Sequence, residues 1–299
     1  DQWIKERTGI KERHIAAENE TTTDLAYQAS LKAIEAAGIN NDDIDLIIVA
    51  TTTPTQIFPS TASLLQAKLN IAGCPAFDIQ AVCTGFVYAL TVADKFIKSG
   101  GVKNVLVVGA ETISRIIDWT DRNTCVLFGD GAGAAVLTRE EDNGKGILST
   151  HLHSEGKHAL ELSLKGPSTM EWVPELIEKD PQEDIPYYPY MNGQFVFKNA
   201  VVRFAEVIQE GLAQNKLTAA DIDMLIPHQA NLRISQFVQK QFKLNDDQVY
   251  NNIQKYGNTT AASIPIALTE AWEEGKIKEG DTVVLAAFGS GFTWASAII

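Results

Sequence analysis

The sequence predicts an α/β protein with a duplicated α/β/α/β/α layered sandwich, and three observations predict it. Short apolar strands alternate with amphipathic helical stretches, the pattern of sheets covered by helices. The chain also repeats itself at one offset. DDIDLIIVATTTP (residues 42–54) is echoed by ADIDMLIPHQ (residues 220–229), and setting Asp45 on Asp223 gives an offset of 178 residues (223 − 45). The same offset sets Ala89 and Leu90 on Ala267 and Leu268, and Val105-Leu106-Val107 on Val283-Val284-Leu285. That spacing reads as a duplicated unit rather than a short-period solenoid. Hydrophobic residues fill 45% of the 299 positions, ample for one large domain or two of about 150 residues.

The elements of the two units run in the same order. A first helix is expected over 23–37, with Thr21 to Thr23 able to cap it and Gly38 to end it. Its counterpart covers 200–214. A buried strand follows at 46–50 or 224–227, then a helix at 61–69 or 232–242. Another short strand, 76–79 or 249–253, leads into a third helix, which in the first unit covers 84–98. A pair of apolar strands closes each unit: 105–108 with 132–137, and 283–287 with 293–298. The expected organisation is therefore an N-terminal half at 1–143, a connecting stretch at 144–193 and a C-terminal half at 194–299. The connecting stretch is rich in Pro, Glu and Tyr (EWVPELIEKDPQEDIPYYPY) and reads as a surface excursion able to act as a lid.

Charge and cysteine usage exclude several classes. A formal charge of −13 is wrong for a nucleic-acid binder, which needs a basic face, and mainly favours solubility. Cys74, Cys83 and Cys125 are an odd number without metal-site spacing, so a reducing cytoplasm is the expected setting. No apolar run approaches the ~20 residues of a membrane span, and no signal peptide is visible. The chain starts at Asp1, without Met, in the polar segment DQWIKERTGIKERH, and reads as lacking its beginning.

Chemistry concentrates in AVCTG (81–85), PHQAN (227–231) and YGNTT (256–260), each placed where a predicted strand ends. They offer a thiol, an imidazole and a carboxamide. A thiol can hold an acyl group, while neutral His and Asn can donate hydrogen bonds to a developing oxyanion. Cys83 opens the predicted third helix, whose dipole is expected to favour thiolate; the bland alternative is a small buried hydrophobe. Cys74, ahead of a strand, and Cys125, inside one, read as core packing. His228 on its own fits a satisfied structural histidine as well as a catalytic one. His14, His151, His153 and His158 lie in charged or loop-like contexts with less promise. Asn258 could be a turn or capping residue. The repeat shifts that balance, because Cys83 and Asn258 fall in corresponding connections of the two halves, near where α/β sheets place their sites. FGDGAGAAVL (128–137) lacks the Lys-Ser/Thr of a phosphate loop and reads as tight turns. The amides of FGSGFTW (288–294) could face the cysteine as an oxyanion hole.

AVCTG, PHQANLRI, YGNTTAASIP and FGDGAGAAVL, with WIKERTGIKERHI near the start, resemble the β-ketoacyl-acyl-carrier-protein synthase III family of the thiolase superfamily, from Asp1 to Ile299. The resemblance implies a thiolase-like fold and a homodimeric condensing enzyme of the cytoplasm that initiates fatty-acid synthesis without metal or bound cofactor. Cys83 would be acylated from an acyl-CoA. His228 and Asn258 would hydrogen-bond the thioester carbonyl of malonyl-acyl-carrier protein as carbon dioxide leaves, and the amides of Cys83 and Ser290 would hold the tetrahedral oxyanion. Trp3 and Arg122 would sandwich the adenine of CoA, with Arg7 and Thr8 nearby and Gly193 and Asn231 lining the pantetheine tunnel. Phe58 would reach the acyl pocket across the dimer interface, and Lys198, Arg233 and Lys240 would dock the acidic carrier protein. No nucleic acid or membrane partner is implied.

The chain departs from the family pattern in three ways. The family's first strand is missing, the glycine turn reads FGSGF where FGGGF is expected, and the excursion around 167–190 is longer than in short members, which leaves acyl-chain preference open. Alternatives are a condensing or acyl-transferring enzyme of secondary metabolism, a cysteine thioester hydrolase using Cys83 and His228, and a non-catalytic CoA- or carrier-binding subunit.

Overall fold

The computed structural model describes residues 2–141, 144–164 and 188–299. Runs of apolar residues buried on both faces form the two central sheets. In β1 (Leu46–Ala50) and β3 (Asn104–Glu111) every residue is buried, as expected for strands sandwiched between helix layers. The first sheet has the order β2-β1-β3-β4, with β2 at Ala76–Ile79 and β4 at Gly131–Thr138. β1 pairs parallel with β2 and β3, and β4 runs antiparallel to β3. The second sheet is β5-β10-β9-β8, formed by Ser149–Ser154, Thr293–Ile298, Val283–Gly289 and Met224–Pro227. β8 and β9 are parallel, and β10 is antiparallel to both β9 and β5. A small antiparallel pair joins β6 (Leu162–Ser163) to β7 (Tyr190–Met191).

Strand alternation sorts the side chains into three apolar layers. Leu46, Ile48, Val105 and Val107 face inward with Met224, Ile226, Val283 and Leu285, packing around Phe86, Val87 and Leu90 of α4 (Gly85–Lys98) and Ile264 and Ala267 of α8 (Ser263–Glu273). The opposite face of the first sheet, with Ile47, Val49, Leu106 and Val108, packs on α2 (Thr22–Ala37) and α3 (Thr61–Lys68). On the second sheet Leu225, Val284, Ala286 and Phe288 face α5 (Gly193–Gln214) and α6 (Leu232–Phe242). These are the five layers of the sandwich. Each fully buried Leu, Ile or Phe contributes about 1.5–3 kcal/mol, so the middle layer, shared by both halves, fastens them together.

The 178-residue offset holds in three dimensions. It matches Leu46 to Met224 at the strand starts, the short turn Asn41–Asp43 to Ala219–Asp221, and Val82–Thr84 to Thr260–Ala262. Val82 and Thr260, matched by that offset, both adopt positive φ, 49° and 46°. α2 is capped by Thr21 in a reciprocal box with Asp24 and ends at Gly38 in the left-handed conformation (φ 66°), as expected from its sequence.

Four expectations change. Residues 249–253 form no strand; Val249 makes one bridge to Leu225, and α7 (Ile253–Tyr256) follows. The amides of Asn252 and Ile253 donate instead to the side-chain Oε1 of buried Gln229, at 3.1 and 3.2 Å. Cys125 lies in a turn, not a strand, because Asp121 gathers the Asn123 amide and the Thr124 hydroxyl, each at 2.9 Å. Ser149–Ser154, assigned by sequence to the connecting excursion, is an edge strand of the second sheet. Finally, α5 starts at Gly193, well before 200, capped by the Asn192 side chain. Residues 165–187 of the possible lid lie outside the described residues.

Candidate active site

Cys83, His228 and Asn258 converge on one cavity of about 1300 Å³, which Gly193, Asn231, Phe288 and Ser290 also line. Cys83 reaches it from the turn Val82–Thr84 that leads into α4. His228 follows β8, whose pairing it prolongs by donating its amide to Ala286 O at 2.8 Å. Asn258 is held by a bridge to Phe128, with its amide on Leu127 O and its carbonyl accepting from Gly129 N. Gly257 is required there, at φ 67°, because an added Cβ would lie 2.6 Å from Leu127 O.

Burial sets the protonation states. Cys83 is buried, and that burial together with the negative charge of Glu111 pushes its thiol up to about 12. The helix-dipole expectation of a resting thiolate is therefore not met, since desolvation outweighs the helix start. Burial also lowers His228 to about 3, so the imidazole is neutral near pH 7. Its Nδ1 lies 2.6 Å from Ser263 Oγ, and its Nε2 is buried with no protein partner among the described residues. Asn258 Oδ1 accepts from Thr260 N at 2.9 Å. That bond orients the carboxamide, leaving its NH2 as the group available to a ligand.

The two halves meet at the sulfur. A Cβ on Gly289 would lie 2.8 Å from Cys83 Cβ and 3.0 Å from Cys83 N, so only glycine permits this approach. Thr84 Oγ1 is 2.8 Å from Thr293 Oγ1, which in turn donates to Ser290 O at 3.0 Å. This hydroxyl chain ties the cysteine turn to the glycine turn. The amides of Cys83 and Ser290 have no protein acceptor among the described residues, as an oxyanion hole requires. The Ser290 hydroxyl points elsewhere and donates to Leu162 O; at position 290 only the amide remains for the cavity.

Beneath the cavity lies Glu111, fully buried. Its carboxylate accepts from the amides of Thr52 and Thr53 at 3.1 Å and from their hydroxyls at 3.1 and 2.6 Å. Burial raises its pKa, and the threonine donors oppose that shift. Glu111, Gly289 and Ser263 escape a reading of the sequence alone. The signal that finds them is the repeat: the offset sets Glu111 on Gly289 and Gly85 on Ser263.

The remaining expected residues fall as follows. Arg122 stacks over the Trp3 ring, 5.9 Å from its centroid. Arg7 is exposed, and its carbonyl accepts from Asn231 Nδ2 at 3.3 Å. Thr8 is buried, with its hydroxyl committed to Ile4 O and Ile10 N at 2.7 and 3.0 Å, so it braces the α1 end (Gln2–Thr8). Asn231 caps α6 by accepting from Arg233 N. Gly193 has room for a side chain, its added Cβ meeting only Met191 Cε at 3.9 Å. Phe58 is 82% exposed beside Ile57 at 88%. Lys198, Arg233 and Lys240 are exposed, and the last two, seven residues apart on α6, share a face.

A family model described as 3-oxoacyl-[acyl-carrier-protein (ACP)] synthase III matches residues 77–156, and one described as its C-terminal part matches residues 212–299. The beta-ketoacyl-[acyl-carrier-protein] synthase III of Thioalkalivibrio sulfidiphilus (strain HL-EbGR7) is 54% identical over 300 residues, covering 100% of this chain and 90% of the relative. That of Xanthomonas campestris pv. campestris (strain ATCC 33913) is 54% identical over 301 residues, covering 100% and 89%. Among solved structures, the 3-oxoacyl-[acyl-carrier-protein] synthase III of Aquifex aeolicus VF5 is similar with a TM-score of 0.91 and 47% identity, covering 100% of this chain and 90% of that one.

Proposed function

The chain belongs to the 3-oxoacyl-[acyl-carrier-protein] synthase III family, and on that premise we propose that it condenses an acyl-CoA primer with malonyl-acyl-carrier protein to initiate fatty-acid synthesis. The observation that carries this reading is two separate donor sets around one thiol: the amides of Cys83 and Ser290, and the side chains of His228 and Asn258. A hydrolase needs only the first set. A condensing enzyme needs both, because an enolate and a tetrahedral oxyanion form at different atoms.

The steps balance within the residues present. Cys83 sulfur attacks the thioester carbon of acyl-CoA; the carbon–sulfur bond to CoA breaks, and the thiol proton ends on the CoA sulfur. Malonyl-carrier protein then replaces CoA. Its carboxylate leaves as carbon dioxide, and the electron pair moves onto the thioester oxygen, which accepts from neutral His228 and the Asn258 NH2. The enolate carbon attacks the acyl-cysteine, whose carbonyl oxygen is held by the Cys83 and Ser290 amides. That attack makes the new carbon–carbon bond, and collapse of the tetrahedral oxyanion breaks the carbon–sulfur bond and releases the sulfur, which takes a proton from solvent. The cavity is apolar enough to strengthen each of these hydrogen bonds. No metal or resident cofactor enters this scheme.

The supporting contacts fit the same proposal. The Trp3–Arg122 stack offers planar faces for an adenine; Gly193 and Asn231 line the cavity, and Asn231 donates to the Arg7 carbonyl. Exposed Lys198, Arg233 and Lys240 would meet an acidic carrier protein despite the net charge of −13. The apolar tip of Ile57 and Phe58 supports a homodimer in which a second copy covers it. Three unpaired cysteines favour a reducing cytoplasm. Among the described residues no helix is long and apolar enough to cross a membrane.

The test is intact-protein mass after exposure to a panel of acyl-CoAs, chased with malonyl-carrier protein. An adduct on Cys83 that disappears as β-ketoacyl product forms is the expected result, and the preferred donor names the primer. An adduct removed by water alone would sink the condensing role.

A further inference from the structure

Ser263 is the first residue of α8, and its hydroxyl oxygen lies 2.6 Å from His228 Nδ1. Both residues are buried, at 2% and 3% exposure. The same oxygen is approached by the Gln229 amide at 3.4 Å, which occupies an acceptor site. Ser263 has one proton to donate, and among the described residues no other acceptor lies within hydrogen-bond distance of it. The carbonyl four residues back, the usual outlet for a helical serine, is not used. If Nδ1 carried the imidazole proton, the serine hydroxyl would receive two donors while its own proton stayed buried and unpaired, an arrangement proteins avoid. Donation from Ser263 to Nδ1 satisfies every group and leaves the imidazole proton on Nε2. That nitrogen is buried and without a protein partner, on a residue that lines the cavity.

We infer that Ser263 is a positioning residue that locks His228 in the tautomer protonated at Nε2, making it a hydrogen-bond donor to the cavity and not a proton acceptor. This deepens the proposed function and rests on it for the catalytic consequence. A donor at Nε2 suits the enolate oxygen of the decarboxylation step, and it leaves His228 unable to take the Cys83 proton there. The two half-reactions therefore separate: acylation of Cys83 does not depend on Ser263, and decarboxylation does. The repeat shows that the pair is specific to the second half. The offset sets His228 on Ala50 and Ser263 on Gly85, where an added Cβ on Gly85 would meet the Ala50 Cβ at 3.1 Å. The same strand-end to helix-start contact is bare in one half and carries the imidazole and its partner in the other.

The experiment uses the full chain labelled with 15N-histidine, comparing wild type, Ser263→Ala and Ser263→Thr. Wild-type His228 is expected to show a protonated Nε2 and an unprotonated Nδ1, with Ser263→Ala losing this preference and Ser263→Thr restoring it. Release of carbon dioxide from malonyl-carrier protein should fall on the order of 10- to 100-fold in Ser263→Ala, less than the ~10²–10³-fold for removing a donor outright, because the imidazole still samples the productive tautomer. Acylation of Cys83, read by intact mass, should stay within about twofold, setting the effect apart from a general loss of active-site structure. A wild-type proton on Nδ1 would overturn the inference. So would a Ser263→Ala protein that keeps both the tautomer and the decarboxylation rate, or one that loses both half-reactions equally. A wild-type protein that acylates but never decarboxylates malonyl-carrier protein would overturn the proposed function, while the NMR tautomer still decides the role of Ser263.

Discussion

At the first half's corner of the cavity, Ala50 ends β1, Val82 takes the strained turn, Cys83 follows it, Gly85 starts α4 and Glu111 ends β3. At the second half's corner the equivalent places hold His228, Thr260, Ala261, Ser263 and Gly289. The backbone is the same down to the positive φ at Val82 and Thr260; the chemistry is complementary. One corner holds the proposed nucleophile, Cys83, over a buried carboxylate. The other holds hydrogen-bond donors and, at Gly289, clears the space into which the cysteine turn fits. The two halves share one scaffold, and each carries what the other lacks.

Substitutions that erase this division should have effects in a definite order. Cys83→Ala removes the nucleophile, and condensation should vanish with no acyl adduct by mass; retained product would break the covalent scheme. Gly289→Ala comes next. A methyl 2.8 Å from Cys83 Cβ must displace the cysteine turn, so acylation should drop by about 100-fold or more, with about 1–3 kcal/mol lost from stability. Thermal denaturation and acylation kinetics read both, and a wild-type rate would mean that the close approach does not restrain the turn. Asn258→Ala should slow decarboxylation by ~10²–10³-fold while sparing acylation; equal loss of the two steps would show that the donor sets are not separate.

Glu111→Gln sharpens the comparison at the other corner. It sets an NH2 among the Thr52 and Thr53 donors, which should lower stability by about 1–3 kcal/mol in a denaturant titration. It also removes a negative charge that holds the Cys83 proton, so the pH profile of Cys83 alkylation should move to lower pH. An unmoved profile would leave desolvation alone as the cause.

The last comparison concerns pH, where the two corners fail at opposite ends. The Cys83 thiol is raised from 9.0 to about 12, so its contribution is fully present below pH 9 and is lost as pH rises toward 12. His228 is lowered from 6.5 to about 3. Its contribution is present above pH 6.5 and is lost as pH falls toward 3, because the unfolded chain binds the extra proton. Within each window one group changes stability by at most about 1.4 kcal/mol per pH unit. In His228→Gln the acid limb of a stability–pH curve should flatten by that amount, and the alkaline limb should not change.

Much of this was legible without coordinates. The strands 46–50 and 224–227 announced themselves as unbroken apolar runs, since a strand buried on both faces has no polar side to show. The cap at Thr21 and the stop at Gly38 depend on local hydrogen bonding and left-handed backbone, which particular residues supply. Cys83, His228 and Asn258 stood out because each is a reactive group among small residues. Residues 249–253 misled the strand pattern, because the Asn252 and Ile253 amides go to the Gln229 side chain, a partner far along the chain. Edge strand 149–154 was hidden for the converse reason: its apolar content is low, and its place in the sheet comes from pairing with β10.

The sequence by itself determined the α/β alternation, the duplication and the three reactive side chains, because these follow from periodicity and residue chemistry. Tertiary structure alone decided their states. Whether Cys83 rests as thiol or thiolate depends on desolvation and on Glu111, 28 residues away in sequence (111 − 83). Which nitrogen of His228 carries the proton depends on Ser263, and how near the Cys83 and Ser290 amides stand depends on Gly289 lying against the cysteine turn. Protonation and hydrogen-bond direction are set by what surrounds a group in space, and those surroundings exist only once the two halves have packed.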